Sequence, residues 1–220
     1  MGLKPHLLSI NINSRSKAHK IIIKKLPLFC ALVGWFAAIA QFILMIENRV
    51  TPIHEAVIRF FSFYTILTNT LVSIYFTYIA FVKNQEPKSG ILTAITTYIF
   101  MVGIIYQLVL RHVWQPLVRQ LIVDKLLHSI TPILVILFWY MYERTKSVSY
   151  SHLLKWGIYP LIYLIFILIR GSFSNFYPYP FVDVRNLGME SVYTYSVVLL
   201  LMFLMISALF LFIGKTIIKR

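Results

Sequence analysis

Two short stretches hold side chains whose types and spacing could carry acyl chemistry. Phe60-Phe61-Ser62-Phe63-Tyr64-Thr65-Ile66-Leu67-Thr68-Asn69-Thr70 crowds hydroxyls and one amide into the start of an apolar run that reaches Phe81. At about 100° per residue, Ser62, Thr65, Asn69 and Ser73 fall within roughly 80° of one helix face. The second stretch is Asp124-Lys125-Leu126-Leu127-His128-Ser129-Ile130-Thr131-Pro132. There Asp124, His128 and Thr131 are spaced i, i+4 and i+7 and share a face. A free hydroxyl is a poor nucleophile at neutral pH and needs a base to take its proton. His128 has the ordinary titration range for that role, and Asp124 could hold its ring. Asn69, Tyr64 or a backbone N–H freed near Pro132 could steady an oxyanion. The residues alone leave Ser62, Thr65, Thr68 and Thr70 open as nucleophiles. Hydroxyls on spanning helices also commonly bond back to the i−4 carbonyl.

A third cluster, Tyr106, Gln107, Arg111, His112 and Trp114, closes another apolar run. Arg111 could grip a carboxylate or phosphate headgroup, with Tyr106 and Trp114 beside it as an aromatic belt. The segment 175–181 carries Tyr177 and Tyr179, each followed by a proline, and suits a cap at headgroup level. No HxxxH, HExxH, phosphate-cradling glycine loop or dinucleotide fingerprint occurs, so no metal and no organic cofactor is expected. Cys30 is the single cysteine, which excludes an internal disulfide.

The elements that must position these residues are hydrophobic. The chain has 220 residues, 59% of them hydrophobic and 13% charged, with a mean hydropathy of +0.78. Six apolar runs, about 27–46, 57–82, 91–110, 124–142, 153–170 and 191–214, are each long enough to cross a bilayer core of about 30 Å. The expected fold is all-α: a polytopic membrane protein built as a six-transmembrane-helix bundle with both termini cytoplasmic. Residues 1–26 form a basic segment, 27–214 the membrane domain and 215–220 a basic tail. The run from Leu26 to Ile46 is too long for a signal-peptide core and reads as an uncleaved first helix.

Orientation follows from the cations. With the N-terminus inside, the inner side holds Lys4, Arg15, Lys17, Lys20, Lys24, Lys25, Lys83, Lys88, Arg144, Lys146, Lys155, Lys215, Lys219 and Arg220. The other seven of the 21 Lys and Arg lie outside. The +14 formal charge therefore marks orientation and anionic headgroups rather than nucleic acid. Thr65 then lies roughly 9 Å below Arg59, in the outer leaflet, with His128 near the same depth.

The Phe63-Tyr64-Thr65-Ile66-Leu67-Thr68-Asn69 segment, paired with Leu126-Leu127-His128-Ser129-Ile130-Thr131-Pro132-Ile133-Leu134, resembles the androgen-induced-gene family of six-helix membrane proteins. This family includes the androgen-dependent TFPI-regulating protein. Tyr177-Pro178-Tyr179-Pro180-Phe181 looks like the bacterial branch. Animal members are threonine hydrolases that cleave fatty-acid esters of hydroxy fatty acids. The resemblance implies Thr65 as nucleophile and His128 as base. Asn69, Ser62, Asp124 and Thr131 stand as supporting residues, and Arg111, Tyr106, Trp114, Tyr177 and Tyr179 as substrate or headgroup contacts. Animal members place an acid shortly after the threonine, where this chain has Thr68 and Asn69. The expected protein is a multi-pass membrane hydrolase acting on a lipid or lipid-like ester. An acyltransferase using the same pair, or a non-catalytic lipid-binding or small-solute transport protein, is the alternative.

Overall fold

The computed structural model describes residues 5–82, 88–113, 116, 118–143, 145 and 147–216, with side chains from Lys25 onward. Trp114 and the charges Lys4, Lys83, Arg144, Lys146, Lys219 and Arg220 lie outside the described residues. The architecture is a helical bundle. In chain order its helices are α1 (Pro5–Glu47), α2 (Ile53–Phe60), α3 (Tyr64–Phe81), α4 (Ile91–Val113), α5 (Val118–Tyr142), α6 (His152–Ser174) and α7 (Val184–Thr216). Six stretches are long and apolar enough to cross a membrane: Lys25–Glu47 of α1 and all of α3, α4, α5, α6 and α7. Each turns large apolar side chains outward, as Leu32, Phe36, Ile39 and Ile43 do on α1. In water such surfaces would drive aggregation; in lipid they are the expected exterior.

The packing explains the sequence composition. Between α1 and α3 the contact is built from small residues, with Ala31, Gly34, Ala37 and Ala38 buried. A Cβ added at Gly34 would run into the Ser73 hydroxyl, so the two backbones meet at their closest there. Trp35 Nε1 donates to Thr77 Oγ1 at 3.0 Å alongside. Phe76, Ile99, Val135, Phe203 and Leu211 fill the bundle centre. At one end Glu143, just beyond α5, accepts from the Thr93 N–H at 2.7 Å, the Thr93 hydroxyl at 3.0 Å and the Gly90 N–H at 3.3 Å. The carboxylate thereby satisfies first-turn donors of α4 that have no partner within their own helix.

The sequence suggests one helix from 57 to 82; the structure breaks it. Ser62 and Phe63 make short turns back to Arg59 and Phe60, and Phe63 is extended, with φ −84° and ψ 123°. The Ser62 hydroxyl donates to the Ile58 carbonyl at 2.7 Å, and the Ser62 carbonyl accepts from Tyr163 at 2.9 Å. Ser62 is thus a hinge residue, and Thr65 moves from mid-helix to the first turn of α3. The last helix is interrupted as well, at Gly188, whose φ of +75° only glycine adopts without strain.

Candidate functional site

Two wide turns shape the site. In α5, residues Leu126–Ile130 form a π turn, and the Thr131 N–H reaches back to the Leu126 carbonyl. Pro132 is the local cause: it has no N–H for the His128 carbonyl, and its ring crowds that oxygen. In α4, Tyr106–Leu110 make a second π turn, closed by the Arg111 N–H on the Tyr106 carbonyl. Gln107 Nε2 joins the two turns by donating to Ser129 Oγ at 2.9 Å. Gly103 lets them approach, because a Cβ there would lie 3.2 Å from the His128 carbonyl oxygen. The result is a face-to-face stack of the Tyr106 and His128 rings, with centroids 4.0 Å apart and planes inclined by 14°.

His128 then meets α3. Its Nε2 lies 3.4 Å from Thr65 Oγ1, and its Nδ1 lies 3.0 Å from the Asp124 backbone oxygen. A carbonyl can only accept, so Nδ1 carries the proton and Nε2 is left as an acceptor for the threonine hydroxyl. Asp124 therefore orients the ring through its backbone. One oxygen of its carboxylate accepts from Gln120 at 2.9 Å, and Gln120 also donates to Gln41 at 2.7 Å.

Tyr179 completes the cluster. The Thr65 N–H, one of the first-turn donors of α3, donates to the Tyr179 hydroxyl at 3.2 Å, and that hydroxyl lies 3.3 Å from Thr65 Oγ1. Burial pushes the phenol above its usual titration range, and its hydrogen bonds with Thr65 only partly offset this, so it stays a proton donor. A directed chain satisfies every contact. Tyr179 donates to Thr65 Oγ1, Thr65 donates to His128 Nε2, and His128 Nδ1 donates to the Asp124 carbonyl.

The loop that delivers Tyr179 is fixed by charge. Glu55 accepts from Arg59 at 2.7 Å and from Arg170 at 2.9 Å, tying α2 to the end of α6. Both guanidinium groups lie over the Phe176 ring, at 4.5 and 5.0 Å from its centroid. The Arg59 hydrogen bond, followed by the charge of Arg170, holds the Glu55 carboxyl below the usual carboxylate range. Phe63 and Phe181 enclose the Tyr179 ring, the latter stacked at 5.2 Å.

Asn69 Nδ2 donates to the Thr65 carbonyl at 2.9 Å and the Leu127 carbonyl at 3.3 Å, bridging α3 to the π turn of α5. Of the other hydroxyls, Thr68 pairs with Tyr159 at 3.1 Å and Ser73 back-bonds to Asn69. Thr131 is buried, and its hydroxyl has no hydrogen-bond partner among the described residues. Arg111 is exposed and donates a long bond to Gln107 Oε1, at 3.3 Å. Tyr177 packs on Gly171 beneath Arg185. Sequence reasoning missed Glu55, Arg170 and Phe176; an acid four residues before an arginine was the available signal, but its distant partner on α6 was not.

Two cavities meet at the cluster. The larger, about 650 Å³, is lined by Thr65, His128 and Tyr179 together with Arg49, Arg59 and Asp124. A second, of about 380 Å³, is also lined by Thr65 and Tyr179 but continues between α4, α6 and α7. A threonine hydroxyl, an imidazole whose ring nitrogen faces it and a buried phenol at the junction of two cavities is a set that can perform nucleophilic acyl chemistry. Fold and site together define a protein of membrane character, with six membrane-length apolar helices among the described residues and a polar cluster buried near one end of the bundle. No family model, no curated protein and no solved structure matches the chain.

Proposed function

We propose that this protein is an integral-membrane hydrolase of lipid esters that works through a threonine acyl-enzyme. The observation that carries the reading is the 3.4 Å approach of His128 Nε2 to Thr65 Oγ1, with the other ring nitrogen already engaged. Such contacts are commonly long without substrate and tighten in the reacting complex. The likeness of the two motifs to the androgen-induced-gene family supports the same assignment.

In this reading Thr65 Oγ1 attacks the ester carbonyl carbon while His128 Nε2 takes its proton. The carbonyl oxygen becomes an oxyanion, and Tyr179 turns its hydroxyl from Thr65 Oγ1 to that oxygen. Collapse breaks the carbon–alkoxy bond, and His128 returns the proton to the leaving alcohol. Water, deprotonated by His128, then attacks the threonyl ester, which releases the carboxylic acid and restores the Thr65 hydroxyl. The count of Lys and Arg along the sequence supports cytoplasmic termini, and in that orientation the site faces the outer leaflet. Arg49 and Arg59 at the larger cavity suit a polar or anionic product leaving toward water.

A fluorophosphonate probe tests the reading. Purified protein is expected to be labelled, and Thr65→Ala and His128→Ala are each expected to abolish labelling while the helical content is kept. Labelling that survives Thr65→Ala refutes the nucleophile assignment. Folded protein that never labels, yet conducts solute across vesicles, favours the transport reading.

A further inference from the structure

The smaller cavity differs from the larger in its chemistry. Among the described residues no charged side chain lines it, and its apolar wall includes Met101, Val102, Leu161, Leu164, Leu200 and Phe203. Two polar side chains in that wall are already satisfied, Tyr163 on the Ser62 carbonyl at 2.9 Å and Ser196 on the Val192 carbonyl at 2.7 Å. Tyr64 and Tyr193 also line it, together with Thr65 and Tyr179. Leu161, Val197 and Leu200 are also exposed on the outer face of α6 and α7, so the cavity opens sideways where lipid would lie.

Phe203 is the last residue that α7 contributes to this wall, ten positions beyond Tyr193. It is buried, and its ring stacks on Tyr98 with centroids 5.8 Å apart and planes inclined by 10°. Tyr98 is itself fixed by donating its hydroxyl to the Trp156 carbonyl at 2.8 Å. Phe203 is therefore braced. From Tyr193 to Phe203 the wall follows α7 for about 15 Å, at 1.5 Å per residue. An extended chain advances about 1.2 Å per bond, which accommodates about twelve carbons. The volume agrees, since a cavity of about 150 Å³ holds a six-carbon ring and this one is about two and a half times larger.

Building on the hydrolase reading above, we infer that this cavity holds the acyl chain of the ester and that Phe203 sets its length, selecting straight chains of about a dozen carbons. The alcohol portion, with whatever polar group it carries, lies in the charged cavity on the other side of Thr65.

The test is a series of straight-chain alkyl fluorophosphonates, ethyl to octadecyl, reacted with the full-length protein in lipid nanodiscs. The ethyl probe reads the hydrolase assignment independently of chain length. Labelling rates of the wild type are expected to peak near dodecyl. Phe203→Ala is expected to move the peak to hexadecyl or longer. Leu200→Trp, at a half-exposed position that tolerates size, is expected to move it to octyl or shorter. A peak that stays in place in both folded variants, or rates independent of length while Thr65 still reacts, overturns the length assignment alone. Failure of every probe, ethyl included, to modify Thr65 overturns the hydrolase reading and this inference with it.

Discussion

Removing one oxygen atom, in Tyr179→Phe, separates the chemical role of this residue from its packing. The ring contacts with Phe63 and Phe181 involve carbon only and survive the change. Two contacts are lost: the acceptor for the Thr65 N–H at 3.2 Å and the hydroxyl 3.3 Å from Thr65 Oγ1. The first leaves a buried helix-end donor without a partner, which costs about 1–3 kcal/mol. In a protein of this size that corresponds to a fall of roughly 2–10 °C in unfolding midpoint. The second removes the proposed oxyanion donor, and losing one such donor slows acyl transfer by about 10²–10³. The expected outcome is a modest drop in thermal midpoint in detergent and a far larger drop in fluorophosphonate labelling rate. Lost stability with an unchanged labelling rate would show that Tyr179 merely props the helix start. No change in either would refute the geometry of the cluster itself.

The remaining predictions concern positioning. Gly103→Ala places a Cβ 3.2 Å from the His128 carbonyl oxygen and 3.4 Å from the Pro132 ring, so the π turn must shift by a few tenths of an ångström. Misplacement on that scale is expected to slow labelling by up to about tenfold while the helices persist, measured as rate and circular dichroism on one sample. Because Glu55 titrates below its ordinary value, its contribution to stability is complete above about pH 4.3, its usual unfolded value, and is lost as pH falls through the lower folded one. Glu55→Gln is expected to cost about 2 kcal/mol at neutral pH, from weakened hydrogen bonds to Arg59 and Arg170. Its thermal midpoint is then expected to fall less steeply with acid than that of the wild type, and parallel acid profiles would contradict this role.

Helix-forming runs were legible because lipid permits few alternatives: long apolar stretches must satisfy their own backbones, and only the ends are free to vary. The ends are where the structure departs. Nothing in Phe60-Phe61-Ser62-Phe63 announces a break, since no proline or glycine is present; the break rests on Ser62 accepting Tyr163 from α6, a partner 101 residues away. That same break places Thr65 at a helix start, where its N–H needs an outside acceptor. Tyr179 was legible as an aromatic cap, but its contact with Thr65 spans 114 residues and no local pattern encodes it. The i, i+4 spacing puts Asp124 and His128 on one helix face, and the bond between them runs from the ring to the Asp124 backbone carbonyl. Pro132 held the missing information, because a proline four residues after His128 removes the ordinary partner of its carbonyl and favours the wider turn.

The most direct measurement is the site of acylation during turnover. Full-length protein is mixed with a medium-chain lipid ester, quenched in acid within the first turnovers, digested and analysed by mass spectrometry. The acyl group is expected on Thr65 and absent from Thr65→Ala. An acyl group on another residue, or hydrolysis that continues in Thr65→Ala, would contradict the acyl-enzyme reading.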